Sequence, residues 1–186
     1  KWWPDLPGSS AKGSKACSVS LLNKYAEQKF VAESLVINTN KEALVVRTSM
    51  LGFKSDRSHT LMHWILSTLK YKPEIDGFVD SITSSIDVDT LCGTILQLLK
   101  ISECGLYNIG CNHTYSKYEL IKKCVEITGA VCNIRPSKVS ALKVPRSKNC
   151  GLDVNKVQNT LGIKMPDLKS TLSTLKVLEY YEKLWP

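Results

Sequence analysis

Between residues 19 and 37 the apolar side chains Leu22, Tyr25, Ala26, Phe30, Leu35 and Val36 recur at helical spacing with polar residues between them. That pattern predicts an amphipathic helix with these side chains on its buried face. Residues 43–47 (ALVVR) form a short β-branched run, a strand ended by Gly52. Residues 60–69 return to helical spacing. Residues 75–86 mix Gly77, Asp80 and several Ser and Thr with Phe78, Val79 and Ile82, which suits an extended crossing segment. Residues 87–100 begin with acids, end on Lys100 and carry Val88, Leu91, Cys92, Ile95, Leu98 and Leu99, an amphipathic helix whose end charges match its dipole.

Residues 105–110 (GLYNIG) read as a strand between glycines. Ser116 and Glu119 make a capping box for a helix that runs to Thr128 and stops at Gly129. A short strand over 131–135 precedes Pro136, and residues 153–161 and 167–183 read as closing helices. Residues 1–18, with Pro, Gly and Ser between a Trp pair and scattered Lys, are an irregular lead-in; the folded unit is 19–186. Alternating strands and helices indicate α/β, with parallel strands joined by crossover helices.

Composition narrows the classes. With 186 residues, 43% hydrophobic and 23% charged, the chain is one domain, or one domain and a piece of another. No run reaches the roughly 18 apolar residues of a membrane span, so no membrane partner is expected. Lys1 is not an initiator Met and residues 1–16 lack a signal-peptide core, so the chain is expected to begin inside a longer protein. The net charge of +8 favours anionic partners. Its source is 21 Lys and 4 Arg spread along the chain without a basic stripe or a nucleic-acid motif, so no nucleic acid is expected. Seven cysteines, an odd number without CxxC spacing and mostly in apolar segments, read as buried thiols in a reducing compartment, the cytoplasm.

Neither GxGxxG nor GxxxxGK[ST] occurs, so no phosphate-cradling glycine loop is encoded. His59 and His63 stand at i,i+4, but Thr60 occupies the position of the Glu in HExxH, and a surface or packed pair is expected. Cys111 and His113 lack further ligands, so no metal site is expected. A Tyr-x-x-x-Lys spacing places an ammonium beside a phenol on one helical face, and a cation there favours the phenolate needed for proton transfer. The spacing alone selects nothing. With seven Tyr and 21 Lys, chance gives about one such pair, and the chain has two, Tyr25/Lys29 and Tyr118/Lys122.

Order and context separate them. Asn23, Tyr25, Lys29 and Glu33 stand in N-x-Y-x-x-x-K-x-x-x-E, which resembles the catalytic helix of extended short-chain dehydrogenases/reductases. Residues 43–52 (ALVVRTSMLG) are similar to that family's R-T-S-x-x-G strand and turn, and residues 105–110 to its late G-x-Y-x-x-G strand. Residues 116–120 (SKYEL) resemble the S-x-Y-E-[FL] helix start of dTDP-4-dehydrorhamnose reductases. Residues 144–153 (VPRSKNCGLD), with Lys156–Ile163 after them, resemble their R-P-x-x-S-x-L-D and K-x-x-x-x-L-G-I segments. Five matches in the family's order cover about residues 22–175. Tyr118/Lys122 falls on the substrate-side helix and is the chance pair.

The resemblance implies the C-terminal portion of a Rossmann-type doubly wound parallel sheet plus a small substrate-binding subdomain. The implied activity is NAD(P)-dependent reduction of a nucleotide-activated 4-keto-deoxysugar. Tyr25 would exchange the carbonyl proton. Lys29 would favour its phenolate and hold the nicotinamide ribose. Thr48, Ser49 and Met50 would lie as a loop against the nicotinamide, and Arg146 and Lys148 would meet the sugar nucleotide. NADP or NAD is the implied cofactor of the full-length protein, which can also be a homo-oligomer or a regulated subunit. The chain departs from the pattern at Ala26, where Gly is usual, at Met50, where an aromatic is common, and at Pro145-Arg146, which reverses the usual order. The family's catalytic Ser/Thr, some two dozen residues before the Tyr, would fall at or beyond Lys1, so this stretch alone is expected to be inactive. The other implied role is a non-catalytic binding or regulatory subunit on the same scaffold, like the beta subunit of methionine adenosyltransferase.

Overall fold

The computed structural model describes residues 24–54, 60–139 and 147–184. Helix α1 (Lys24–Thr39) is followed by strand β1 (Leu44–Thr48) and the short β2 (Met50–Leu51). Thr60 caps α2 (Leu61–Tyr71), its side chain accepting from the His63 N–H, and β3 (Glu74–Phe78) follows. The expected crossing segment resolves into β3, β4 (Ile82–Thr83) and β5 (Ile86–Asp87). Asp87, whose side chain accepts from the Thr90 N–H, then caps α3 (Val88–Lys100). β6 (Gly105–Ile109), β7 (Tyr115–Ser116) and α4 (Lys117–Thr128) come next. The Ser116–Glu119 capping box is formed and Gly129, at φ +66°, ends α4 in the left-handed region that glycine tolerates. β8 (Asn133–Ser137), β9 (Asn149–Cys150), α5 (Asn155–Leu161), α6 (Leu168–Thr174) and α7 (Val177–Glu182) complete the order.

The architecture is mixed α/β with parallel pairing, as expected. β1 runs parallel to β6 with Thr48 opposite Ile109, β2 parallel to β5, and β3 parallel to β8. β4 lies between antiparallel β7 and parallel β9. One core cluster gathers under α2, α4, α6 and α7 around Leu66, Leu120 and Leu172, and another lies between α3, β6 and α5 around Leu98, Ile109 and Val157.

Four expectations need correction. The strand expected to stop before Pro136 runs through it, with Pro136 opposite Gly77; β8 has β3 as its one partner among the described residues, and an edge strand tolerates a missing N–H. The single closing helix over 167–183 is two, because Lys176 turns left-handed at φ +52° between α6 and α7. The apolar residues of α1 are largely outward, with Tyr25 68% exposed and Leu35 62% exposed, and the one buried residue of the helix is Glu33. Of the cysteines, Cys111 and Cys124 are buried as expected, whereas Cys92, Cys104 and Cys150 are exposed free thiols. Leu22, His59 and Cys17 lie outside the described residues.

Candidate functional site

The site is organised by how α1 meets β1. A short turn over residues 40–43 joins them, with the Asn40 side chain accepting from the Glu42 N–H at 2.9 Å. Glu33 lies six residues before the helix end and Arg47 three residues into the strand, rises of about 9 and 10 Å. They therefore come level only if helix and strand run antiparallel, and they do meet. Arg47 donates Nε to Glu33 Oε2 at 2.8 Å and Nη2 to Oε1 at 2.5 Å, with side chains 9% and 6% exposed. Tyr25, eight residues before Glu33, rises about 12 Å further, beyond the carboxyl end of β1. Ser49 and Met50, two and three residues past Arg47, reach about 7–10 Å in the same direction. Carboxyl ends of parallel strands are where open α/β sheets hold ligands.

Lys29 Nζ stands 5.6 Å from the Tyr25 ring centroid, the spacing expected of i,i+4 neighbours. Both side chains are exposed. Thr48 is the exposed last residue of β1 and Met50, 65% exposed, opens β2, so the expected loop narrows to a kink at Ser49. The kink is fixed by the segment Ser84-Ser85-Ile86. Ile86 N–H donates to Ser49 O at 2.9 Å, the Ser49 and Ser85 hydroxyls lie 2.8 Å apart, and Thr83 Oγ1 is 2.8 Å from Ser85 Oγ. The same segment grips the end of β6. Cys111 N–H donates to Ser84 O at 2.8 Å, and Ser85 O accepts from Tyr115 OH at 2.7 Å and Cys111 Sγ at 3.0 Å. Burial pushes the Tyr115 phenol and the Cys111 thiol up, so both stay protonated donors.

Sequence reading did not single out Ser84 and Ser85. Their signal was present, three consecutive hydroxyl residues between Ile82 and Ile86, and it has meaning only once the ends of β1 and β6 are known to lie side by side.

Arg135 belongs to β8 and is bound to acids, Nη1 to Glu74 Oε1 at 2.8 Å and Nε to Asp76 Oδ1 at 3.0 Å. Lys148 is exposed, and its backbone carbonyl accepts from Ile82 N–H at 2.7 Å, fixing β9 to β4. Arg146 lies outside the described residues. Beside this small sheet, at the start of α4, Lys117 is half-buried and burial holds its ammonium below the usual lysine range. His63 is a packed residue, its Nδ1 2.9 Å from Tyr180 OH. No cluster of metal-ligating side chains occurs among the described residues. A surface groove of about 420 Å³ lies elsewhere, between α4 and α6. Its acids are already committed, Glu119 to Ser116, Glu126 to Lys123 and Asp167 to Ser170.

The family model described as the RmlD substrate binding domain matches residues 16–179. The chain belongs to that family. Among solved structures it is similar to the dTDP-4-dehydrorhamnose reductase of Bacillus anthracis in complex with NADP, with TM-score 0.77 and 21% identity over 87% of this chain and 57% of that one. It is also similar to the reductase of Yersinia enterocolitica, with TM-score 0.74 and 20% identity over 83% of this chain and 57% of that one. A Clostridium acetobutylicum ortholog gives TM-score 0.76 and 16% identity over 94% and 62%. These likenesses establish the Rossmann-like reductase fold. The RmlD-family chain thus spans about three fifths of the length of the reductases it matches. No curated protein matches it. No helix among the described residues is long and apolar enough to cross a membrane.

Beyond the carboxyl end of β1 stand the exposed ammonium of Lys29, on α1, and the exposed thioether of Met50, groups chemically suited to hydroxyls and to the face of an aromatic ring. The sequence offers no glycine-rich turn for the pyrophosphate.

Proposed function

We propose that this chain is the C-terminal, substrate-side portion of an NAD(P)-dependent reductase of a nucleotide-activated 4-keto-deoxysugar, acting in the cytoplasm. The observation that supports the reading is the buried Glu33–Arg47 pair, which locks α1, the helix of Tyr25 and Lys29, against β1, the strand that ends at Thr48 next to Ser49 and Met50. NAD(P), when bound, supplies the hydride to the carbonyl carbon. Tyr25 gives the proton to the carbonyl oxygen, and Lys29 beside it balances the phenolate that remains. Thr48 and Met50 line the nicotinamide side, with Ser49 held by Ser85. Arg146 and Lys148 meet the diphosphate of the substrate. The free thiols support a reducing compartment.

The test uses the full-length protein with NADPH or NADH and a nucleotide-activated 4-keto sugar. Tyr25→Phe keeps the packing and removes the hydroxyl, so turnover falls by roughly 10²–10⁴. Tyr118→Phe has the same spacing and leaves turnover near wild type. Equal losses would overturn the assignment of Tyr25. A wild-type protein that binds cofactor and never turns over would instead be the binding subunit.

A further inference from the structure

The small sheet β7–β4–β9 brings together two lysines that lie 31 positions apart in the chain. Ile82 of β4 pairs with Ser116 of β7 on one side and with Asn149 of β9 on the other. One residue earlier, Ser81 therefore stands between Lys117 and Lys148. The backbone bonds continue both ladders to this level. Lys117 N–H donates to Ser81 O at 3.0 Å, and Ile82 N–H donates to Lys148 O at 2.7 Å.

Paired residues of neighbouring strands share a sheet face, and so do alternate residues of one strand. Ser81, Thr83, Lys148, Cys150 and Tyr115 lie on one face by that rule. It is the face turned to the kink after β1, since Thr83 Oγ1 is 2.8 Å from the Ser85 hydroxyl that holds Ser49. Lys117 belongs to the same face. It is level with Ser81, and Cys150, two strands away, acts electrostatically on its ammonium.

A lysine at position 117 works against the fold. It is half-buried, and burial holds its ammonium below the usual lysine range. It is also the first residue of α4, where the helix dipole disfavours a cation. No ion pair joins Lys117 or Lys148 to an acid among the described residues. The nearby acids are committed elsewhere, Glu119 of the same helix to Ser116 and Asp80 to the Val139 N–H at 2.7 Å. Residues 136–152 contain no Asp or Glu at all. An apolar side chain of the same length would fill this place without leaving a charge unpaired. The S-x-Y-E-[FL] pattern leaves position 117 open, so the family resemblance assigns Lys117 no role.

We propose that Lys117 and Lys148 hold an anionic group between them over Ser81, and that this group is the diphosphate of the sugar nucleotide. The two lysines are two strand spacings apart, about 10 Å between Cα atoms, a gap that their long side chains close from both sides. Lys117 supplies the partly desolvated charge, Ser81 a half-buried hydroxyl and Lys148 an exposed ammonium. The identity of the anion rests on the reductase reading; the anion site itself does not.

The test is calorimetric binding of dTDP and UDP to the full-length protein, with no cofactor and no turnover. Lys117→Met keeps the length of the side chain and removes its charge, so binding weakens about 10–100-fold, the loss of one charge-assisted contact. Lys117→Arg keeps the charge and loses less. Lys148→Met also loses less, because an exposed ammonium gains less from a partner. Lys117→Met melts no lower than wild type; a variant that melts lower overturns the proposal, because Lys117 then has its partner within the fold. A wild type that binds neither diphosphate overturns it, as do full affinity in Lys117→Met and equal losses in Lys117→Met and Lys117→Arg. Diphosphate binding that depends on Lys117 in a protein without reductase activity supports this site and overturns the reductase reading alone. Turnover that depends on Tyr25, with full diphosphate affinity in Lys117→Met, does the reverse.

Discussion

Glu33 accepts two hydrogen bonds from the guanidinium of Arg47, and this buried pair is what joins α1 to β1. Both residues belong to stretches that also carry candidate chemistry, Glu33 four positions after Lys29 and Arg47 just before Thr48 and Ser49. A planar fork that matches a carboxylate edge to edge fixes orientation as well as distance, which a lysine could not do. The pair thus fixes the level of α1, the helix that carries Tyr25, against β1.

Glu33→Gln leaves the Arg47 charge buried with a neutral partner. Removing one side of such a pair costs about 3–5 kcal/mol, whereas replacing both sides with well-packed apolar residues is near neutral. Urea unfolding of Glu33→Gln is therefore expected to show a loss of that order, with Glu33→Leu/Arg47→Met losing less than Glu33→Gln alone. If the double replacement is the less stable of the two, the contact stabilises the fold instead of chiefly orienting it.

Gly110→Ala tests the grip of Ser84 on the end of β6. A Cβ at this position would stand 2.5 Å from the Ser84 carbonyl oxygen and 3.0 Å from its hydroxyl. The obstacle includes backbone, so neither a rotamer change nor a flexible tip relieves it. A loss of about 1–3 kcal/mol is expected, as for other overpacked sites. Gly93→Ala, with open space at its Cβ, is the control for fold stability and gains helix propensity. Similar melting temperatures for the two variants would mean that the Ser84 segment gives way easily.

How much of this was legible in the sequence depended on whether the signal was local. Caps are local: Ser116 with Glu119, and the acids that begin at Asp87, announce their helices because each cap satisfies an N–H three residues away. Alternation of strands and helices gave α/β for the same reason. The inward face of α1 was not legible, because periodicity marks an apolar side without saying what lies against it, and the buried residue proved to be the charged Glu33. Pro136 in β8 was missed because a strand's edge is a property of the sheet. The pairing of Arg135 was not legible, because its partners, Glu74 and Asp76, lie about 60 residues away on the neighbouring strand. Of the candidate site, the Tyr25–Lys29 and Thr48–Ser49–Met50 pieces were legible as motifs, while the Ser84–Ser85 bridge between the two strand ends required the parallel register.

Acid unfolding should report the helix caps. Glu119 accepts from Ser116 N–H at 2.6 Å and from Ser116 Oγ at 2.9 Å, and these bonds hold its carboxyl below the usual range. The Ser170 N–H does the same to Asp167. A folded pKa below the unfolded one gives stability that is present above the unfolded value and is lost as pH falls through the folded value. Both groups therefore stabilise the fold at neutral pH and lose that contribution progressively as the pH falls below about 4. Ser116→Ala should cost about 1 kcal/mol at pH 7 and make the decline with acid shallower, since Glu119 then has less to lose. Urea midpoints at neutral and acid pH, measured for both proteins, decide this; parallel declines would remove the capping box from the account.

The last prediction separates three basic residues that look alike in sequence. Arg135 is held by Glu74 and Asp76, which push its guanidinium pKa up and use the fork it would offer to a phosphate. Lys148 is exposed just before β9, a point charge without the planar fork of a guanidinium. Arg146 is the residue whose family match carries the substrate role, and a guanidinium can engage two phosphate oxygens at once. A diphosphate remote from the reacting carbonyl is held equally in ground and transition states, so losing its contact raises KM with kcat nearly unchanged. In the full-length protein, Arg146→Ala is expected to raise KM for the sugar nucleotide about tenfold or more, the loss of one charge-assisted contact. Lys148→Ala should raise it less, and Arg135→Ala should leave KM alone while loosening the β3–β8 pairing in hydrogen exchange. If Arg135→Ala raises KM as far as Arg146→Ala does, the acids of β3 release Arg135 to the substrate, and the diphosphate lies over β3 and β8.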